Sequence, residues 1–250
     1  MYPREIVDKA LRLHSQGWTD RAVAQACGVS IQSVRHWRKG RRRNGRIDAA
    51  SYCPICGDGE LAEEAYVYLL GLYLGDGYIS PSGRANYLSI VCGDVWPGLM
   101  DLCHASMARV LPTSVFRVQR IGCTEVKSTS KHWPCLFPQH GPGAKHTRAI
   151  ALVPWQTEIV GRHPEGFVRG LLHSDGCRIT NRVKRTVAGK DKWYEYPRYF
   201  FSNNSRDIHG LLGRYLDQLG IEWRMSNANN LSIAKRDSVA RLDTFVGPKR

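Results

Sequence analysis

Tyr68-Leu-Leu-Gly71-Leu-Tyr-Leu-Gly75-Asp76-Gly77-Tyr-Ile79 returns later in the chain as Phe167-Val-Arg-Gly170-Leu-Leu-His173-Ser174-Asp175-Gly176-Cys-Arg-Ile179. Both copies read as apolar helices. Gly71 and Gly75 stand four residues apart in the first, and Gly170 and Ser174 match them in the second. Residues at that spacing share a helix face, so each helix has a face without bulky side chains, on which another backbone can come close. The two helices are therefore expected to pack on these faces and to meet at their C-terminal ends, where Asp76 and Asp175 lie. Gly77 and Gly176 read as the helix terminators. A carboxylate at the negative end of a helix dipole costs about 0.3–1 kcal/mol, and two brought together repel further. A divalent cation relieves both problems. Hard oxygen ligands favour Mg²⁺ or Ca²⁺, and a metal shared by paired acids can activate water and stabilise the leaving oxygen in phosphodiester hydrolysis. The plainer alternative, a structural helix pair whose Asp-Gly only makes a turn, is weakened because the arrangement occurs twice.

The residues that follow each motif also repeat, roughly one hundred residues apart, which is the size of one compact half. After the first motif the pattern predicts a strand at 78–80, a turn, a strand at 87–92, a helix at about 95–111 and a strand from Val115. After the second it predicts strands at 177–187 and 193–202, a helix at 206–219, strands near 221–226 and 231–234, and a last helix at about 237–246. The fold class expected is α+β, with two αββαββα halves at 65–160 and 161–250 related by a pseudo-twofold axis. Each half supplies an antiparallel sheet to a saddle. The second hairpin of the first half is expected to be interrupted by the proline- and glycine-rich stretch 133–146, with 150–154 as its last strand.

Ahead of the repeat, residues 1–43 read as a small all-α module. Ile6, Ala10 and Leu13 stripe one helix, Thr19 caps a second, and Gly28 makes a turn before Ser30 caps a third that carries Ile31, Val34 and Trp37. This resembles a helix-turn-helix whose face for the major groove holds Gln32, Ser33, Arg35 and His36. A three-helix protein-interaction module is the alternative. The basic run Lys39, Arg41, Arg42, Arg43 and Arg46 favours phosphate contact. Residues 44–64 read as a linker with a knuckle, Cys53-Pro-Ile-Cys56-Gly, which has the spacing of half a zinc site. Cys135, His140 and His146 are the candidates for the other half, with Cys53, Cys56, Cys135 and His140 as the set for a structural Zn²⁺. Ordinary buried cysteines and surface histidines are the alternative.

A formal net charge of +14 over 250 residues makes nucleic acid the default partner. Arginine outnumbers lysine by more than two to one, which suits bidentate recognition of phosphate and guanine. No apolar run is long enough to span a bilayer, and neither a basic amphipathic helix nor a lipidation signal is visible, so a membrane partner is not expected. With no signal peptide pattern at the N-terminus, the cytoplasm is the expected location, where eight cysteines argue for thiols or a metal site over disulfides.

Residues 69–77 and 168–176 resemble the two signature helices of the LAGLIDADG homing endonucleases in their single-chain, pseudo-dimeric form, over about residues 64–250. The resemblance implies motif helices at the interface of the halves and sheets lying along the major groove of double-stranded DNA. It also implies Mg²⁺ held by Asp76 and Asp175 with the carbonyls of Gly75 and Ser174, and a staggered double-strand break. Leu74 and His173 replace the first acid of the motif, a position that does not bind metal in that family. A basic residue near the acids is common there, and Lys235 fits its place on the fourth strand of the second half. DNA reading is expected from Arg178, Asn181, Arg182, Lys184, Arg185, Lys190 and Lys192 on the long second hairpin, with Arg198 and Asn203 on its returning strand. In the first half Arg84, Asn86, Arg117, Gln119 and Arg120 are the counterparts. Strand alternation puts about half of such residues on one face. The resulting expectation is a monomeric, metal-dependent, site-specific DNA endonuclease with a long asymmetric target. The alternative is a non-cleaving transcription regulator descended from one.

Overall fold

Side-chain caps set where the second and third helices begin. The Thr19 hydroxyl accepts from the Ala22 amide and the Ser30 hydroxyl from the Ser33 amide, so α2 (Asp20–Cys27) and α3 (Ile31–Arg38) each begin at a side-chain cap after α1 (Arg4–Ser15). Gly28 ends α2 at φ 62°, a left-handed conformation that glycine adopts without a Cβ clash. The apolar faces of the three helices bury Val7, Ala10, Val23, Ala24, Val34 and Trp37 as one small core. This computed structural model describes residues 2–39, 52–83, 85–187 and 189–249. Arg41, Arg42, Arg43, Arg46 and Arg84 lie outside the described residues. The chain divides into two compact units, Met1–Glu60 and Leu61–Arg250.

In the larger unit each half runs helix, hairpin, helix, hairpin, helix. The first half holds α4 (Glu63–Asp76), β1 (Gly77–Ser82), β2 (Ala85–Gly93), α5 (Pro97–Val110), β3 (Val115–Arg120) and β4 (Cys123–Ser130), then a short α6 (Trp133–Leu136) and α7 (Pro154–Arg162). The second holds α8 (Pro164–Asp175), β5 (Gly176–Val187), β6 (Lys190–Ser202), α9 (Arg206–Gln218), β7 (Arg224–Asn227), β8 (Asn230–Ile233) and α10 (Arg236–Asp243). Two antiparallel sheets result, ordered β1-β2-β4-β3 and β5-β6-β8-β7. The repeat seen in the sequence is thus a repeat of topology.

One element differs from its expected place. The second hairpin of the first half is not interrupted: β4 follows β3 across a tight turn at Gly122, and the proline-rich segment comes after it. Residues 150–154 form no strand, and Pro154 instead opens α7, where its missing amide costs nothing. The strand signals in this stretch are weak. β4, Cys-Thr-Glu-Val-Lys-Ser-Thr-Ser, is too polar to announce itself, yet it is a central strand.

The motif helices form the middle of the unit. From Ala65 to Leu74 every residue of α4 is buried, as expected of a helix that is apolar on all sides. The small faces meet α8 backbone to backbone. A Cβ placed on Gly71 would stand 2.6 Å from the Phe167 carbonyl oxygen, and one on Gly170 would stand 2.3 Å from that of Tyr68. Gly77 and Gly176 are not left-handed caps. Their φ values of −94° and −97° are extended, so each helix passes directly into a strand, and glycine is required there because a Cβ would meet the last turn of the helix, 2.5 Å from Tyr73 Cα and 2.6 Å from the Leu172 carbonyl oxygen.

Candidate functional site

The close approach of α4 and α8 brings Asp76 and Asp175 together. At Gly75 a Cβ would be 1.8 Å from Ser174 Oγ and 2.9 Å from Asp175 Oδ2, so the second acid occupies space that only glycine leaves open. Ser174 Oγ donates to Asp76 Oδ2 at 2.8 Å, and Asn203 Nδ2 donates to Asp175 Oδ2 at 2.6 Å. Asn203 is held in turn, its Oδ1 accepting from the Ser205 amide at 2.7 Å. Burial, and next the charge of Asp76, hold the Asp175 carboxyl above the usual range. Asp175 faces a cleft of about 270 Å³ lined by Gly75, Lys145, His146, Ser202, Asn203 and Asn204.

Two lysines reach this end of the helix pair. Lys145 Nζ donates to the carbonyls of Tyr73, Leu74 and Gly75 at 2.5, 2.9 and 2.7 Å, and lies 5.2 Å from the centre of the Tyr73 ring. Burial lowers its pKa to about 8 even though Asp175 and Asp76 act the other way. Lys249 Nζ donates to the Ser174 carbonyl at 2.8 Å, and burial lowers it too. Neither was among the residues expected from the sequence. Lys235, which was, stands exposed at the N-cap of α10 and pairs with Glu222. The buried His173 donates through Nε2 to the Val246 carbonyl and accepts at Nδ1 from the Tyr68 hydroxyl, each at 2.9 Å. Burial depresses its pKa to about 4, so it is a neutral strut between helix, neighbouring helix and C-terminal segment.

Strand parity sorts the remaining candidates. On β6 the buried Tyr199 and Phe201 define the helix side, and the register places Arg178, Arg182 and Lys184 on that same face. All three are ion-paired there, with Asp243, Glu195 and Asp191. The opposite, open face carries Asn181, Arg185, Lys190, Lys192 and Arg198 with Tyr194, Tyr196 and Phe200. No carboxylate pairs with Arg185, Lys190, Lys192 or Arg198 among the described residues. Asn181 Nδ2 donates to the Tyr196 hydroxyl at 2.6 Å, and Arg198 Nε to Ser232 Oγ at 2.8 Å.

In the first sheet Arg117 pairs across β4 with buried Val126 on the helix side, where it meets Asp101 of α5, and Gln119 meets Asp94 at 2.9 Å. Their alternates Phe116 and Arg120 share the open face with Tyr78, Tyr87 and Lys127. There Glu125 accepts from Tyr78, Arg120 and Lys127. Burial alone would raise the Glu125 carboxyl, but Lys127, Arg120 and Tyr78 outweigh it and hold it low. Asn86 shares the helix-side parity of Leu88.

In the smaller unit Gln32 and His36 are bonded to one another along α3 at 3.2 Å. Arg35 lies 3.6 Å from Asp20, and the Ser33 hydroxyl is 2.9 Å from that of Ser30. Cys53 is buried in a tight turn closed by the Gly57 amide on its carbonyl at 2.9 Å. Cys135 lies one turn after His132, whose carbonyl accepts its amide at 3.0 Å, and this Hisx₂Cys spacing mirrors that of Cys53 and Cys56. His140 lines a separate cleft with Tyr73 and Arg148.

Two αββαββα halves joined at glycine-faced helices that end in paired acids, with a helix-turn-helix ahead of them, define a LAGLIDADG-like fold. Among solved structures the chain is similar to the homing endonuclease I-DmoI in complex with DNA and Mn, at 16% identity over 74% of this chain and 98% of that one, with a TM-score of 0.49. It is similar also to the LAGLIDADG meganuclease I-AabMI bound to uncleaved DNA (12%, 72% and 82%, 0.46) and to the N-terminal LAGLIDADG domain of DUF199/WhiA (13%, 84% and 93%, 0.44). Residues 9–50 match the family model of a homeodomain-like domain. No curated protein matches the chain in sequence. Among the described residues no helix is long and apolar enough to cross a membrane.

Proposed function

We propose that this protein is a metal-dependent DNA endonuclease that makes a double-strand break at a long asymmetric site, acting as a monomer through its two unlike halves. The observation that carries this reading is the meeting of Asp76 and Asp175, each at a helix end, each beside a backbone carbonyl, with a cleft open at Asp175. The donor set of two carboxylates and the carbonyls of Gly75 and Ser174 is all hard oxygen and fits Mg²⁺. Bound there, the ion would supply Lewis acidity and a more acidic water. The chain's own contribution is placement. Gly75 admits the second acid, Ser174 orients Asp76, and Asn203 orients Asp175. The decisive experiment is plasmid or genomic cleavage with Mg²⁺ against chelator, for the wild type and its two acid variants. DNA binding without metal-dependent ends would instead favour the non-cleaving regulator.

DNA is taken up on the open sheet faces, where the cations of the second sheet have no carboxylate partner among the described residues and those of the first share Glu125. Arg185, Lys190, Lys192 and Arg198 contact it, and Arg120, Lys127 and Tyr78 do so in the first half. Gln32, Ser33, Arg35 and His36 extend contact to a further groove. Lys192→Ala is expected to weaken binding and to lower the slope of log affinity against log salt by about 0.9, the share of one phosphate contact. Lys184→Ala, on the helix side and paired with Asp191, is expected to leave that slope unchanged. Fluorescence anisotropy across a salt series separates the two, and equal slopes for both variants would remove the face assignment.

A structural zinc ion is expected on this chain, since thiolate and imidazole at x₂ spacings, as in Cys53–Cys56 and His132–Cys135, are zinc ligands. Native mass spectrometry of the full chain should find one zinc, lost in the Cys56→Ser, Cys135→Ser variant. A metal-free wild type purified with zinc present would rule this out.

A further inference from the structure

Each motif helix ends on a lysine that comes from outside the αββαββα repeat. Lys145 sits on a 3₁₀ turn (Lys145–Thr147) in the segment between β4 and α7, and Lys249 follows α10. Two unrelated pieces of chain thus deliver an ammonium group to equivalent points. Lys145 Nζ is 2.7 Å from the carbonyl oxygen of Gly75, the residue before Asp76, and Lys249 Nζ is 2.8 Å from that of Ser174, the residue before Asp175. These are the carbonyls assigned above to the divalent ion.

A cation at a helix C-terminus satisfies orphan carbonyls and offsets the dipole, and here it also offsets two neighbouring acids. An ammonium group and a divalent ion on the same carbonyl oxygen repel each other in a partly buried site, where that repulsion is poorly screened. We propose that Lys145 and Lys249 are built-in counter-cations, which keep the paired helix ends assembled without metal and which a divalent ion must displace to complete its ligand set. They are positioning residues, and the inference rests on the reading that metal enters at Asp76 and Asp175. A DNA phosphodiester in the cleft is itself an ammonium acceptor, so it would draw the lysines off the carbonyls and couple metal entry to DNA binding.

The test is Ca²⁺ binding to the full, DNA-free chain by titration calorimetry, with thermal melting in chelator and in Ca²⁺. Lys249→Met, which removes one cation near the chain end, is expected to bind Ca²⁺ about tenfold more tightly than wild type. The Lys145→Met, Lys249→Met variant should bind more tightly still, melt lower in chelator and recover in Ca²⁺. The Lys145→Arg, Lys249→Arg variant keeps both cations and should bind Ca²⁺ as weakly as wild type. Unchanged or weaker Ca²⁺ affinity in Lys249→Met, or no Ca²⁺ binding by any variant, overturns the inference. The nuclease reading fails on a separate result, namely a wild type that binds DNA but leaves it intact in Mg²⁺.

Discussion

Asp175→Asn is expected to lose double-strand cleavage by about 10³-fold or more while binding DNA at least as well as the wild type. Asparagine keeps the size of the side chain and can still accept from Asn203 Nδ2, so the helix pair and the sheet beside it should remain as they are. What it removes is one negative charge from a site where two carboxylates are held together on a shared helix interface. That loss reduces metal affinity and relieves repulsion at once, which is why cleavage should fall while the metal-free fold gains. Asp76→Asn should behave alike, because Ser174 Oγ can donate to its amide oxygen as it does to the carboxylate. Supercoiled substrate followed on gels in Mg²⁺ distinguishes nicking from double-strand breakage. Cleavage by either variant within a factor of ten of wild type would show that the acids do not carry the chemistry.

Gly170→Ala is expected to destabilise the larger unit by about 3 kcal/mol, at the high end for an overpacked core. The added methyl would stand 2.3 Å from the Tyr68 carbonyl oxygen and 3.0 Å from Gly71 Cα, and both are backbone atoms of the buried stretch of α4. Neither can rotate away, so the helices must separate, and separation would pull the two acids apart as well. Gly210→Ala supplies the contrast. It lies exposed within α9 with nothing within 4 Å of its would-be Cβ, and alanine there should stabilise by about 0.5–1 kcal/mol through helix propensity. Urea unfolding reads both. A Gly170→Ala variant within 1 kcal/mol of wild type would mean that the helix contact is looser than the distances say.

Both expectations concern features visible in the bare chain, and they show which kind of information local sequence holds. The small residues four apart, the Asp-Gly ends, the capped helices of the N-terminal unit and the repeat of hairpins are all periodic or local patterns, and apart from the second hairpin of the first half the elements appear close to their expected bounds. The polar strand Cys123–Ser130 went unseen because it sits in the middle of a sheet without the alternation that marks such strands. The basic residues of the long hairpin fall on both faces of their sheet for a related reason. Composition picks out a basic hairpin, but Lys184 and Lys192 differ only in the parity of their register, and parity takes its meaning from which side the helices cover.

By itself the sequence determined the paired acids and the means of pairing them, because close packing of two helices depends on which residues lack side chains, and that is written four residues at a time. Only the tertiary structure decided what else stands at that junction. Lys145 bonds a carbonyl 70 residues away and Lys249 one 75 residues away, contacts that no local periodicity encodes. They exist because a loop beyond β4 and the segment after α10 both fold back onto the ends of the same two helices, where unpaired carbonyls and two carboxylates make a cation's place.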